Sequence, residues 1–234
     1  MSFRTVDAGR PVEWIKSAFA AFMKAPLPFI VMAVVVIAIG FVANMIPVLG
    51  PAIAGALSVY WVVGFQRAAH KIESGGTAEI GDLFAGLSGD RMVPLAYVAA
   101  VPAAVNLVFG LLGLGMPIIA GLLSLPATIL VWLVIYFAVP RVYFDRAEPI
   151  AAMQQSLQAS LANILPLIVV TVLNILLLIA GTLALLIGLL VALPLMFLGS
   201  YFGYRDVYRA GGYAAAPGPM PPPPPGPPGP PPGY

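Results

Sequence analysis

The sequence predicts an all-α membrane protein: six transmembrane helices arranged as three hairpins, with short amphipathic interfacial helices and a disordered proline-rich C-terminal tail. Three observations predict it. Of 234 residues, 61% are hydrophobic and 9% are charged, against roughly 45–50% and about 25% in a soluble domain. That is too little charge to cover a water-facing surface. The apolar residues also come in long charge-free stretches: 42 residues between Lys24 and Arg67, 49 between Arg91 and Arg141, and 56 between Glu148 and Arg205. Finally, all 11 Lys and Arg residues flank these stretches on the same side of any hairpin arrangement.

A bilayer core of about 30 Å takes roughly 20 helical residues, so each stretch is long enough for two spans. Each has turn residues near its middle: Pro47-Val48-Leu49-Gly50-Pro51, Gly113-Leu114-Gly115-Met116-Pro117, and the segment from Gly181 to Gly188. In the third stretch, Gln154, Gln155, Ser156, Gln158, Ser160 and Asn163 make the leading residues too polar for the lipid core, and the spans begin near Leu165. The predicted spans are 27–46, 51–69, 93–112, 117–139, 165–183 and 186–204. The runs are continuously apolar and lack the alternation of a β-barrel. The basic start leads into a full-length span without a small-residue cleavage site, so a signal peptide is not expected. The chain divides into a transmembrane domain, 1–210, and the tail, 211–234.

Arg4, Arg10, Lys16 and Lys24 precede the first span; Arg67, Lys71 and Arg91 flank the first link; Arg141 and Arg146 flank the second; Arg205 and Arg209 follow the last span. The hairpin turns carry none. Lys and Arg are retained in the cytoplasm, so both termini are predicted there. The nine acids share that side.

A threefold pattern runs through the chain. Each hairpin follows an amphipathic stretch and a Pro-Leu pair: Val12, Ile15, Phe19, Phe22 and Met23 before Pro26-Leu27; Ile80, Leu83, Phe84 and Leu87 before Pro94-Leu95; Ile150, Met153, Leu157 and Leu161 before Pro166-Leu167. Pro149 fits the first position of the third amphipathic helix, where its missing N–H is not needed. The outgoing ends correspond as well, at Gln66-Arg67, Pro140-Arg141 and Tyr204-Arg205. Both helices lying in the headgroup plane and cytoplasmic caps on the bundle fit this pattern.

Trp14-Ile15-Lys16 leading to Phe22 and Pro26-Leu27, the run Asp82-Leu83-Phe84-Ala85-Gly86-Leu87, and the closing Tyr204-Arg205-Asp206-Val207-Tyr208 resemble a bacterial family of uncharacterised six-span membrane proteins. That family is distantly similar to the membrane domain of some glycerophosphodiester phosphodiesterases. The likeness covers about residues 10–209 and implies a bacterial inner-membrane protein. It carries over no catalytic residue, and the proline tail departs from it.

The spans contain no Asp, Glu or Lys, and Arg67 stands only at the cytoplasmic end of the second. Proton relays, ion-coupled transport and intramembrane hydrolysis normally need ionisable groups at depth. The absence of Cys rules out disulfides, Cys-ligated zinc and iron–sulfur clusters. No enzyme activity, cofactor or metal is therefore expected, and a net charge of +2 gives no argument for nucleic acid. The candidate intramembrane polar contacts are Asn106, Asn174, Thr128 and Thr171, with Asn44, Ser58 and Ser124 beside them. They read either as a polar path or headgroup site, or as interhelical hydrogen bonds. Ala96, Ala100 and Ala104, and Gly199 and Gly203, have the spacing of close helix packing, within one chain or in a homo-oligomer. Pro102, Pro126 and Pro194 should kink their spans. His70 reads as a solvated or headgroup-facing ring, and Glu73, Glu79 and Asp82 as a solvated link. The tail, with five prolines at 221–225, reads as a spacer or as a polyproline ligand for a cytoplasmic protein. Two functions follow from this inventory: a non-enzymatic scaffold or assembly factor with a cytoplasmic proline-rich tether, or a channel or carrier for a small neutral or amphiphilic solute. Membrane lipids are the expected partners in both.

Overall fold

The computed structural model describes residues 3–184 and 187–209; the predicted tail lies outside the described residues. Those residues form nine α-helices: α1 Arg10–Lys24, α2 Pro26–Asn44, α3 Leu49–Glu73, α4 Met92–Gly115, α5 Pro117–Ile135, α6 Ala138–Phe144, α7 Pro149–Ala162, α8 Ile164–Leu183 and α9 Leu189–Tyr204. Between α3 and α4 lie two 3-10 segments, Ile80–Leu87 and Gly89–Arg91. A π turn, Arg205–Arg209, closes the described chain.

Five helical stretches are long and apolar enough to cross a membrane: Pro26–Asn44, Leu49–Glu73, Gly89–Gly115, Pro117–Phe144 and Ile164–Leu183. The segment predicted as the sixth span, 186–204, contains α9, which has 16 residues and is not among these five stretches. The end of α8 and the start of α9 approach closely: a Cβ on Gly181 would stand 3.0 Å from the Gly188 carbonyl carbon. The other hairpin turns also fall where the sequence placed them. Pro117 occupies the first turn of α5. At the α2–α3 turn, a Cβ on Gly50 would overlap the Ala43 carbonyl. Pro149 opens α7 as expected, with the Glu148 carboxylate accepting from the Ile150 and Ala151 amides at 3.1 and 2.7 Å.

The bundle is built around α3, half of whose apolar window is buried, against 11% for Pro117–Phe144. Helices α2, α4 and α9 pack on α3, and α8 packs on α9. A line of rings, Phe22–Phe29–Phe65–Phe197, with centroids 6.0, 6.2 and 5.0 Å apart, joins α1, α2, α3 and α9.

The three amphipathic segments close a ring at one end of this bundle. The 3-10 segment Ile80–Leu87 packs on α3, α7 on α5 and α6, and α1 on α9. Each thus docks on the outgoing helix of a preceding hairpin, and the first returns to the last. Small residues permit two of these contacts. A Cβ on Gly64 would stand 2.5 Å from Leu83 Cα, and one on Gly203 would stand 3.0 Å from the Trp14 ring. A Cβ on Gly199 would likewise stand 3.1 Å from Ile15 Cδ1, so this glycine pair is used within the chain. Ala96, Ala100 and Ala104 are not: they are exposed, and α4 turns Leu95, Val98, Ala99 and Pro102 inward. The buried face of α1 is Trp14, Ala18, Ala21 and Phe22. Of the large stripe read from sequence, Val12, Phe19 and Met23 face outward instead. Ile80, Phe84, Ile150 and Leu161 do the same on the other two segments.

The span expected over 117–139 is interrupted. Helix α5 stops at Ile135, and α6 begins at Ala138. Pro140 lacks an N–H, and its ring excludes the carbonyl four residues earlier, that of Tyr136. Buried Ser156 of α7 fills the gap. Its hydroxyl donates to the Leu133 carbonyl at 3.1 Å and accepts from the Phe137 amide at 3.1 Å. Those two backbone groups would bond each other in an unbroken helix. Ser160 adds a second donor to Leu133 at 2.9 Å. In the polar lead-in of the third hairpin, Gln154 and Gln158 face outward, while the buried serines complete the backbone of a neighbouring helix. Pro102, Pro126 and Pro194, by contrast, lie inside helices that run on through them.

Candidate intramembrane binding site

The polar residues of the spans divide into two groups. In the first, side chains bond carbonyls of their own helix: Asn44 to Gly40 at 2.7 Å, Ser58 to Gly55 at 2.7 Å, Ser124 to Gly121 at 2.9 Å and Thr171 to Leu167 at 2.7 Å. This is the usual way for a hydroxyl or amide to satisfy itself in lipid. Asn106 packs between helices, with its amide nitrogen where a Cβ on Gly55 would come within 2.5 Å. It belongs to the α3–α4 contact and lines no part of the site described next.

Asn174 stands apart. Its Oδ1 is buried and has no hydrogen-bond partner among the described residues. It sits at the junction of two cavities. The outer one, about 420 Å³, is a groove between α5 and α8 floored by Met196 of α9, and Thr128 and Thr171 line it with Asn174. The rest of its wall is apolar, including Ile129, Ile168 and Ile175, all about half exposed. The inner one, about 260 Å³, lies among α3, α5, α8 and α9, with Ser58, Tyr136 and Ser200 on its wall. Trp132, Asn174 and Met196 border both cavities. Three of the four expected polar contacts, Asn174, Thr128 and Thr171, thus meet in one place, and Asn106 does not join them.

Among the described residues two further buried polar groups of this region are short of partners, and one of them, Tyr136, lines the inner chamber. The Tyr136 hydroxyl and Gln66 Oε1 are buried without a hydrogen bond. Gln66 is fixed on its other side, where Nε2 donates to Ser200 Oγ at 2.9 Å, and Ser200 donates onward to the Phe197 carbonyl at 2.7 Å. An unsatisfied buried polar group costs about 1–3 kcal/mol, so the two that line the inner chamber, Asn174 Oδ1 and the Tyr136 hydroxyl, mark a place where bundle stability is not optimised. Tyr136 and Gln66 carry no helical-periodicity signal in such uniformly apolar spans. The one clue available was their polarity within the spans.

The charged end of the bundle lies below this site. Asp206 is buried beneath α1, where it binds Arg4, accepts from Arg10 Nε at 2.6 Å and accepts from Trp14 Nε1 at 2.9 Å. Burial alone would raise its pKa. The bonds from Arg10, Trp14 and Arg4 overcome that and hold the carboxyl below its usual value. Asp145 receives the Tyr204 hydroxyl at 2.6 Å and Arg209 at 2.8 Å. Asp82, expected in a solvated link, is buried and pairs with Lys71 at 2.8 Å and Arg67 at 3.2 Å. It also closes a capping box with Glu79. Glu73 pairs with Arg205. His70 is half-buried rather than solvated, with Nδ1 2.9 Å from the Tyr201 hydroxyl and its ring against Phe144. These pairs join the N-terminal segment, both links and the C-terminal turn, and so gather at one end the charges that the sequence placed on one side.

No protein-family model, no curated protein and no solved structure matches this chain.

Proposed function

We propose that this protein is a six-span integral membrane carrier. It would admit an amphiphilic molecule sideways from the bilayer, hold it at the α5–α8 groove and let it pass between leaflets without chemical change. The observation that carries this reading is the buried, unpartnered Asn174 Oδ1 at the meeting point of a lipid-facing apolar groove and a mainly apolar inner chamber that carries Ser58, Tyr136 and Ser200 on its wall. The described residues that line both cavities include no carboxylate, amine or imidazole, which suits passive uniport rather than proton coupling. The sixth span of this reading is α9. Sixteen residues rise about 24 Å, and α9 packs alongside α2, α3 and α8. Both termini are assigned to the cytoplasm by the retention of Lys and Arg on that side. The outward Phe19, Met23, Phe84 and Leu161 would lie among the lipid headgroups there. Placement in a bacterial inner membrane rests on the sequence resemblance alone. The scaffold reading rests on the composition of the proline-rich tail.

Proteoliposomes test the proposal. A single-chain amphiphile with a nitrobenzoxadiazole tag, confined to the inner leaflet, should become accessible to external dithionite faster than in protein-free vesicles. Thr171→Trp, which fills the groove, should abolish the difference, and a pH gradient should not drive the exchange. Exchange no faster than in empty vesicles would remove the carrier reading.

A further inference from the structure

We infer that the groove is selective for a neutral single-chain amphiphile whose headgroup donates a hydrogen bond, a hydroxyl being the simplest case, and that this headgroup docks on Asn174 Oδ1 near the middle of the bilayer. The inference rests on the carrier reading and names the ligand class for the same site.

Depth is the first argument. Asn174 lies ten residues from Ile164, the start of α8, and nine from Leu183, its end. At 1.5 Å per residue that is about 15 Å from either end, the midplane of a core about 30 Å thick. A headgroup there has left the water of both leaflets, so the protein must supply its polar partners.

The second argument is the kind of partner on offer. Asn174 Oδ1 is an acceptor without a donor. The neighbouring hydroxyls of Ser58 and Ser200 already donate to Gly55 and Phe197; Ser58 Oγ presents lone pairs, whereas Ser200 Oγ already accepts from Gln66. The chamber thus offers an acceptor in Asn174 Oδ1 and donors in the Asn174 amide and the Tyr136 hydroxyl, which calls for a headgroup that can both donate and accept. A hydroxyl does so and can accept the Asn174 amide proton in return. An ether or ester cannot donate.

Charge is the third. The lining side chains of groove and chamber are uncharged, so an anionic or cationic headgroup would be desolvated at the midplane without a counter-ion. The arginines that could have served it are committed elsewhere: Arg10 pairs with Asp206, and Arg209 with Asp145. The fourth argument is size. At about 420 Å³ the groove is at the small end of ligand sites and suits one chain rather than two.

Trp132 borders both cavities, which provides the readout. The probes are dibrominated stearyl alcohol, its methyl ether and the corresponding fatty acid at pH 9, each titrated into the full-length protein in detergent micelles. Quenching is taken as the difference between wild type and Trp132→Phe. The alcohol should bind roughly three- to tenfold more tightly than the ether, the size of one hydrogen bond, and more tightly than the ionised acid. In Asn174→Leu the alcohol–ether gap should close while the ether still binds. Equal binding of alcohol and ether to the wild type, which requires no variant, would overturn the headgroup assignment and leave groove binding intact. A gap that persists in Asn174→Leu, or ionised acid binding as well as alcohol, would overturn it too. Absence of Trp132-dependent quenching by all three probes would instead overturn the groove reading itself.

Discussion

Replacing Ser156 with Ala should destabilise the bundle by about 1–3 kcal/mol, more than any effect of the lost hydroxyl volume. Ser156 is completely buried, and its one oxygen serves two backbone groups, the Phe137 amide and the Leu133 carbonyl. After substitution the carbonyl keeps Ser160 as a donor, but the amide is left buried without a partner, and such a group costs about 1–3 kcal/mol. Ser160→Ala should cost less, about 0.5–1 kcal/mol, because Ser156 still serves Leu133. The double variant should exceed the sum of the two, since only then does the carbonyl lose both donors. Reversible unfolding by sodium dodecyl sulfate in mixed micelles, followed by circular dichroism, would measure all three. If Ser156→Ala lies within about 0.5 kcal/mol of wild type, or costs less than Ser160→Ala, the reasoning fails. The Phe137 amide would then be free to reach Leu133 directly, and the break would owe nothing to α7.

The remaining predictions concern the charged end, the packing glycines and the topology. Because the Asp206 carboxyl is held below its ordinary value by Arg10, Trp14 and Arg4 against the opposing effect of burial, its contribution to stability is complete above about pH 4. That contribution is lost as pH falls through the lower folded value, so hydrogen exchange over residues 3–24 should accelerate on acidification, and Asp206→Asn should remove that dependence. Gly64→Ala should cost about 1–3 kcal/mol and loosen residues 79–88, since its methyl would meet Leu83 backbone at 2.5 Å; Gly113→Ala, whose Cβ meets open space, should be neutral or stabilising by up to about 1 kcal/mol. Cysteines replacing exposed Met45 or Met116 should react with an impermeant maleimide added to intact cells, and one replacing Ser74 should react only after lysis. Labelling of position 74 from outside would invert the orientation.

The amino-acid sequence by itself determined where the apolar stretches lie, where their hairpins turn and on which side the charge gathers. These are matters of composition measured against a solvent, and they are legible one segment at a time: Pro117 begins a helix and Gly181–Gly188 ends one whatever the neighbours do. The prolines within spans were less informative, because the interruption fell at Tyr136–Phe137, where a serine of another helix was available to accept the released amide. Only the tertiary structure decided which way each helix faces. Helices α2, α4, α5 and α9 are apolar on every side, so no periodicity distinguishes a lipid-facing residue from a core one. For that reason Ala96, Ala100 and Ala104 face outward while Gly199 and Gly203 face α1, and Asn174 opens on a groove while Asn106 rests on Gly55. The same limit hid the ring of amphipathic segments. A repeat in sequence specifies three like pieces, but the docking of α1 on α9 and the burial of Asp206 and Asp82 required the chain to return on itself.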